Sequence, residues 1–258
     1  MIGVFDSGVG GLAVLKTLRD AFPTADFCYF GDTANAPYGP RSEAEISTLC
    51  AGSLRRLYAQ GARDIIVACN SATVALRSHP PDLLRTGTFE ILDMLTPALA
   101  SAKPYKRVVY FGTQATARSR IYADAFKRHE IEAVGIPLPD LARLIEEDAP
   151  EETLRAVIST GVRQAKYFNP DAAILACTHY PLVKELFEQE LAIPVLDPSD
   201  SVRELTRLLF KTEESGKLDI IFSKQTPAAD RLVQRFFKGT GRIEIKPSLF
   251  GTFNLNFN

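Results

Sequence analysis

Two cysteines close similar local sequences, Ile65-Ile66-Val67-Ala68-Cys69-Asn70-Ser71 and Ala173-Ile174-Leu175-Ala176-Cys177-Thr178-His179. A short unbroken apolar run that gives way to small polar residues predicts a buried parallel strand opening into a turn and a helix, which is where open α/β sheets hold their ligands. Each thiol then stands at a strand's mouth. Taking a proton from a carbon acid and returning one to the opposite face needs two groups, one per face. A thiol, with an ordinary pKa of about 8.5, serves as base when ionised and as acid when not, and a helix N-terminus behind the sulfur favours the thiolate. A lone cysteine at either position reads as a core residue more often than a reactive one. The matched contexts reverse that balance. Cys28 and Cys50 lack such polar neighbours and read as core thiols.

The elements that must position these thiols fall into two related halves. In the first, the strand Ile2–Phe5 runs into Asp6-Ser7-Gly8-Val9-Gly10-Gly11 and an amphipathic helix, Leu12 to Ala21. A strand at 26–30, a turn-rich loop from Gly31 to Pro40, a helix at 42–60, the Cys69 strand, a helix at 71–77 and a strand at 89–92 follow. The pattern restarts after Thr96-Pro97 with a helix near Ala98, the strand Val108–Phe111 ending in Gly112-Thr113-Gln114-Ala115-Thr116, a helix at 119–128, a strand near Ala133, helices at 141–147 and 151–167, and the Cys177 strand. Beyond a strand at 194–196, Asp197-Pro198 marks a second crossing, then come a helix, a strand at 219–222 and a helix at 227–237. The expected fold is α/β: two pseudo-symmetric domains with mainly parallel sheets, 1–96 with 201–258 and 97–200, and a site in the cleft between them. Hinges are expected near Thr96-Pro97 and Asp197-Pro198, and a loose tail over 250–258.

Composition narrows the classes. The chain has 258 residues, 46% of them hydrophobic, enough for one large core or two modest ones. With 30 basic and 31 acidic side chains its net charge is −1, so nothing draws it to nucleic acid or to an anionic membrane. No apolar run reaches the ~20 residues of a membrane span, the start reads as a strand, and a cytoplasmic protein is expected. Four cysteines without zinc spacing predict reduced thiols, no disulfide scaffold and no metal site. The glycine loop lacks a third glycine at position 13, which is Ala13, and no Walker sequence occurs, so neither a dinucleotide nor ATP is expected. No cofactor of any kind is expected. A homodimer is the default assembly.

Other residues carry weaker signals. His179 reads equally as a packed side chain and as proton partner to Cys177. Asp6 and Asp32 end strands, where a carboxylate can simply cap the next turn. Asp6-Ser7 also opens a loop of free N–H groups, where carboxylate, hydroxyl and backbone could meet a substrate's ammonium and carboxylate. His79 and His129 carry no signal.

Asp6-Ser7-Gly8-Val9-Gly10-Gly11, Pro37-Tyr38-Gly39 with Arg41-Ser42 behind it, Cys69-Asn70-Ser71-Ala72 and Cys177-Thr178-His179-Tyr180-Pro181 together resemble the bacterial glutamate racemases over nearly the whole chain. The resemblance implies cofactor-independent interconversion of L- and D-glutamate, supplying D-glutamate for peptidoglycan. It implies Cys69 as the base toward D-glutamate and Cys177 toward L-glutamate, with Asp6 and His179 assisting. Asp6, Ser7, Pro37, Tyr38, Gly39, Asn70, Ser71, Thr178 and His179 are the implied substrate contacts. The chain departs from the family in having Ser71 where threonine is usual and no arginine in Thr33–Ala36, and Glu146 matches the family's second-domain acid across a two-residue insertion. Racemisation of aspartate or another small acid, a non-catalytic ligand-binding protein and a thiol hydrolase built on Cys177 are the competing readings. The hydrolase leaves Cys69 without a role.

Overall fold

A computed structural model describes residues 1–85, 87, 89–210, 215–238 and 243–247; the expected tail at 250–258 lies outside them. The first half of the chain forms β1 (Ile2–Asp6), α1 (Gly11–Ala21), β2 (Phe27–Gly31), α2 (Glu43–Ala59), β3 (Asp64–Val67), α3 (Asn70–Ser78), α4 (Asp82–Arg85) and β4 (Glu90–Asp93). The second forms α5 (Leu95–Ala102), β5 (Arg107–Gly112), α6 (Gln114–Arg118), α7 (Arg120–Arg128), β6 (Glu132–Pro137), α8 (Leu141–Glu146), α9 (Glu151–Phe168), β7 (Ala172–Ala176), a 3₁₀ turn (Tyr180–Val183), α10 (Lys184–Glu190) and β8 (Val195–Leu196). Then α11 (Ser199–Leu209), β9 (Leu218–Phe222), α12 (Pro227–Phe237) and β10 (Ile243–Pro247) complete the described chain.

One sheet runs β10-β9-β2-β1-β3-β4 and the other β6-β5-β7-β8, with every pairing parallel. The block β2-β1-β3-β4 and the second sheet share one strand order, so β3 and β7, which carry the two thiols at their C-terminal ends, are topological equivalents. Both are central strands covered on two faces, which is why Ile65–Ala68 and Ala173–Ala176 are unbroken apolar runs. Successive residues of β1 and β2 alternate between two clusters, Ile2, Val4, Phe27 and Tyr29 packing under α1 and Phe5, Cys28 and Phe30 under α2. A further cluster places Val74 of α3 among Tyr110, Tyr122 and Phe126 of the second lobe, so the helix behind Cys69 is packed into the opposite lobe's core. The chain returns to the first sheet at β9, which pairs with β2.

Thr96-Pro97, expected as a boundary, lies in the first turn of α5, where proline's missing N–H costs nothing. One expectation needs correction. Cys177 is not followed directly by an α-helix; Tyr180–Val183 form a 3₁₀ turn with Pro181 in its first positions, and α10 starts only at Lys184. The elements α4, α6 and β10 had no sequence signal.

Candidate active site

Cys69 follows β3 and is the N-cap of α3. Its Sγ accepts the Ala72 N–H at 3.4 Å and is hydrogen-bonded to Ser7 Oγ at 3.2 Å. The small residues Ser71 and Ala72 let the first turn of α3 close onto the sulfur. Burial pushes the Cys69 thiol up to about 12, and the Asp6 carboxylate and Cys177 push the same way, against the Ser7 hydroxyl and the Ala72 N–H.

Cys177 follows β7 and has a different support. His179 Nδ1 is 3.8 Å from its Sγ, and His179 Nε2 is 2.6 Å from Glu146 Oε1 at the end of α8. Carboxylate, imidazole and thiol thus form a line. Burial alone would disfavour the imidazolium, yet its bonds to Cys177 and Glu146 and the negative charge they carry hold it well above the ordinary histidine value. The Glu146 carbonyl in turn accepts from Arg231 of α12, tying α8 to the opposite lobe.

The glycine loop brings the lobes together. Asp6 is fully buried; its Oδ1 accepts the Gly8 N–H at 2.9 Å and its Oδ2 accepts the Thr178 hydroxyl at 3.2 Å. Burial raises its pKa, opposed by the His179 charge and by the N–H groups of Gly8 and Gly11. At Gly10 a Cβ would stand 2.5 Å from Thr178 Oγ1 and 2.7 Å from the His179 ring, so only glycine permits this approach. Asp32 serves its own loop, accepting from Tyr38 OH at 2.8 Å and from Asn35 Nδ2 at 3.0 Å, while Arg41 donates to the Asn35 carbonyl at 2.9 Å. That network sets Tyr38 and Gly39 beside the thiols.

Between the lobes lies a cavity of about 260 Å³, and Cys69 and Cys177 both line it. It is smaller than the roughly 300–1,000 Å³ of drug-sized pockets and suits an amino-acid-sized ligand. Ser7, Pro37, Tyr38, Gly39, Asn70, Ser71, Thr178 and His179 stand on its wall, and Asp6 does not. Thr113, Arg143 and Glu146 stand there too. Thr113 went unrecognised in the sequence although it follows a strand end; it caps α6 and is 2.8 Å from Ser71 Oγ across the lobes. Arg143 carried no signal at all. Asn70 Oδ1 accepts from Tyr122 OH at 2.6 Å, and its Nδ2 has no partner among the described residues. No cluster of side chains suited to a metal ion occurs among the described residues, and none of their helices is long and apolar enough to cross a membrane.

Comparison with known proteins agrees with this geometry. The Asp/Glu/hydantoin racemase family matches residues 10–205. The glutamate racemase of Phenylobacterium zucineum is 36% identical, the match covering 92% of this chain and 97% of that protein. That of Aquifex aeolicus is 35% identical over 90% and 92%. Among solved structures, glutamate racemase from Francisella tularensis in complex with D-glutamate superposes with a TM-score of 0.85 at 26% identity, covering 95% of this chain and 96% of that one. The enzyme from Aquifex pyrophilus gives 0.80 at 28% identity, covering 95% and 97%. With the family matched across most of its length and such relatives nearly end to end, this chain belongs to the Asp/Glu/hydantoin racemase family, among the glutamate racemases.

Proposed function

We propose that this protein interconverts L- and D-glutamate without a cofactor, by proton transfer between the substrate's Cα and two thiols. The observation that carries this reading is that sulfurs from equivalent strand ends of two lobes line one small cavity. With L-glutamate bound, the Cys177 thiolate takes the Cα proton; the electron pair spreads into the α-carboxylate, and the Cys69 thiol delivers a proton to the opposite face. The reverse cycle starts from a Cys69 thiolate and D-glutamate. A carbon acid this weak demands a dry site, and both sulfurs are buried.

The surrounding residues divide the remaining work. Burial keeps Cys69 protonated, ready to act as acid, while Ser7 and the start of α3 offset part of the cost of its thiolate. Glu146 and His179 set a positive charge beside Cys177. Thr113, Thr178 and the Asn70 amide supply hydroxyl and N–H groups for two carboxylates, and Ser71 steadies Thr113 across the lobes. Asp6 holds Thr178 and the glycine loop from behind the wall. The same reading puts the enzyme in the cytoplasm, supplying D-glutamate for peptidoglycan.

Incubation of the purified protein with L-glutamate in D₂O, without added cofactor, tests this. Exchange of the Cα proton with parallel loss of optical rotation is expected. Absence of exchange with either enantiomer overturns the reading.

A further inference from the structure

One feature of the cavity wall is left unsatisfied. Asn70 is 3% exposed, and a buried amide left without a partner carries its full desolvation penalty. Its Oδ1 is taken by the Tyr122 hydroxyl at 2.6 Å, while its Nδ2 bonds to nothing among the described residues. A carboxamide can be turned either way, and what it meets decides whether it shows the cavity two donors or one acceptor. Tyr122 is fully buried on α7, in ring contact with Tyr110 and Phe126 at centroid distances of 5.5 and 6.4 Å, so its hydroxyl is fixed in place. Asn70 is its hydrogen-bonding neighbour there, and the hydroxyl proton needs an acceptor, which only Oδ1 can be.

We propose that Tyr122 is a positioning residue for substrate: from the second lobe it fixes the carboxamide of Asn70, on the first lobe, so that the amide N–H groups are presented as donors to a carboxylate of the bound amino acid. The arrangement has a counterpart on the other face. Thr178 follows Cys177 as Asn70 follows Cys69, and Thr178 is held by Asp6 of the opposite lobe. Each residue next to a thiol is therefore oriented by a side chain from across the cleft, and the carboxylate-binding groups are complete only where both lobes meet. Asp6 reaches its partner from a strand end and Tyr122 from a helix, so the two devices are analogous in effect and unrelated in origin.

The proposal rests on the racemase reading for the identity of the ligand, and binding separates the two. Tyr122→Phe removes one oxygen and keeps the ring packing. Calorimetric titration with D-glutamate is expected to show about tenfold weaker binding for Tyr122→Phe than for wild type. Steady-state assays in both directions are expected to show the same loss as a rise in KM, with kcat within about twofold. Asn70→Ala weakens binding at least as much, and the double variant is no weaker than Asn70→Ala alone, because without the amide there is nothing for Tyr122 to orient. Unchanged affinity in Tyr122→Phe, or losses that multiply in the double variant, overturns the proposal; a lowered Tm with unchanged affinity does the same by assigning Tyr122 to packing alone. If wild type binds glutamate but does not exchange its Cα proton, the racemase reading falls while the affinity comparison still decides the role of Tyr122.

Discussion

The two thiols occupy equivalent places in two lobes of equal strand order, yet their surroundings are not equivalent. Cys69 caps an α-helix of nine residues and is met by a neutral hydroxyl and a backbone N–H. Cys177 precedes a short 3₁₀ turn and is met by a histidine backed by a carboxylate. One sulfur depends on backbone dipoles and the other on a charged side chain. The lesson is that repetition of a fold sets where a reactive atom stands, while the residues just beyond it set what that atom meets. Position +2 is Ser71 on one side and His179 on the other.

The largest expected effect comes from removing either sulfur. Cys69→Ser and Cys177→Ser should each lower racemisation by on the order of 10³-fold, within the usual 10²–10⁴ for a general acid or base. The comparison is sharpened by elimination of hydrogen halide from a β-halogenated glutamate, which needs only one base. Cys69→Ser should retain it with the L-isomer and Cys177→Ser with the D-isomer. Loss of elimination with both isomers in either variant breaks the assignment of faces.

Next in size is Gly10→Ala. A methyl group 2.5 Å from Thr178 Oγ1 must push the second lobe away from the first, and a displacement near 1 Å costs about 10²-fold where reacting groups must be aligned. The loss should appear equally in both directions, with less change in thermal midpoint than in rate. An active Gly10→Ala enzyme would show that the two faces need no close approach of the lobes.

How much of this was visible in the sequence follows from the range of each interaction. The strands before Cys69 and Cys177 were legible because a strand buried on both faces must be apolar throughout, and the helix expected at 42–60 is α2, whose start is closed by a capping box between Ser42 and Glu45. The 3₁₀ turn after Cys177 was not, since Tyr180-Pro181 permits a helix start as readily as a tighter turn. Thr113 was hidden because α6 has five residues, too few for any periodicity to show. Pairings such as Glu146 with His179, or Tyr122 with Asn70, join residues of different elements, and nothing in the local pattern encodes them. The position of Glu146 was reached through resemblance; its 2.6 Å contact with His179 is a product of packing α8 on the 3₁₀ turn.

Glu146→Gln tests the asymmetry itself. The amide keeps the shape and removes the charge that helps hold His179 above its ordinary pKa, so the imidazolium is lost at lower pH and the alkaline limb of the rate profile should move down. A drop of about tenfold in kcat/KM is expected. Because enantiomers are equal in free energy, that drop must be the same in both directions, and only isotopes reveal which face has slowed. The primary isotope effect with α-deuterated L-glutamate should rise, and that with α-deuterated D-glutamate should fall, since transfer at Cys177 now limits turnover. An unchanged pair of isotope effects would place Glu146 outside the Cys177 arm.

The smallest expected effect belongs to the counterpart of His179. Ser71 Oγ is 2.8 Å from Thr113 Oγ1, a neutral bond between the lobes, and Thr113 keeps a second hydroxyl partner in Thr116 at 3.2 Å. Ser71→Ala therefore strands no buried group, and a single neutral hydrogen bond is worth about 0.5–1.5 kcal/mol, or roughly 2–10-fold. Since no charge is withdrawn from either sulfur, the loss should leave the balance between the two isotope effects where it was. If Ser71→Ala instead raises the effect with deuterated D-glutamate, Ser71 tunes Cys69 as His179 tunes Cys177, and the two arms are chemically alike after all.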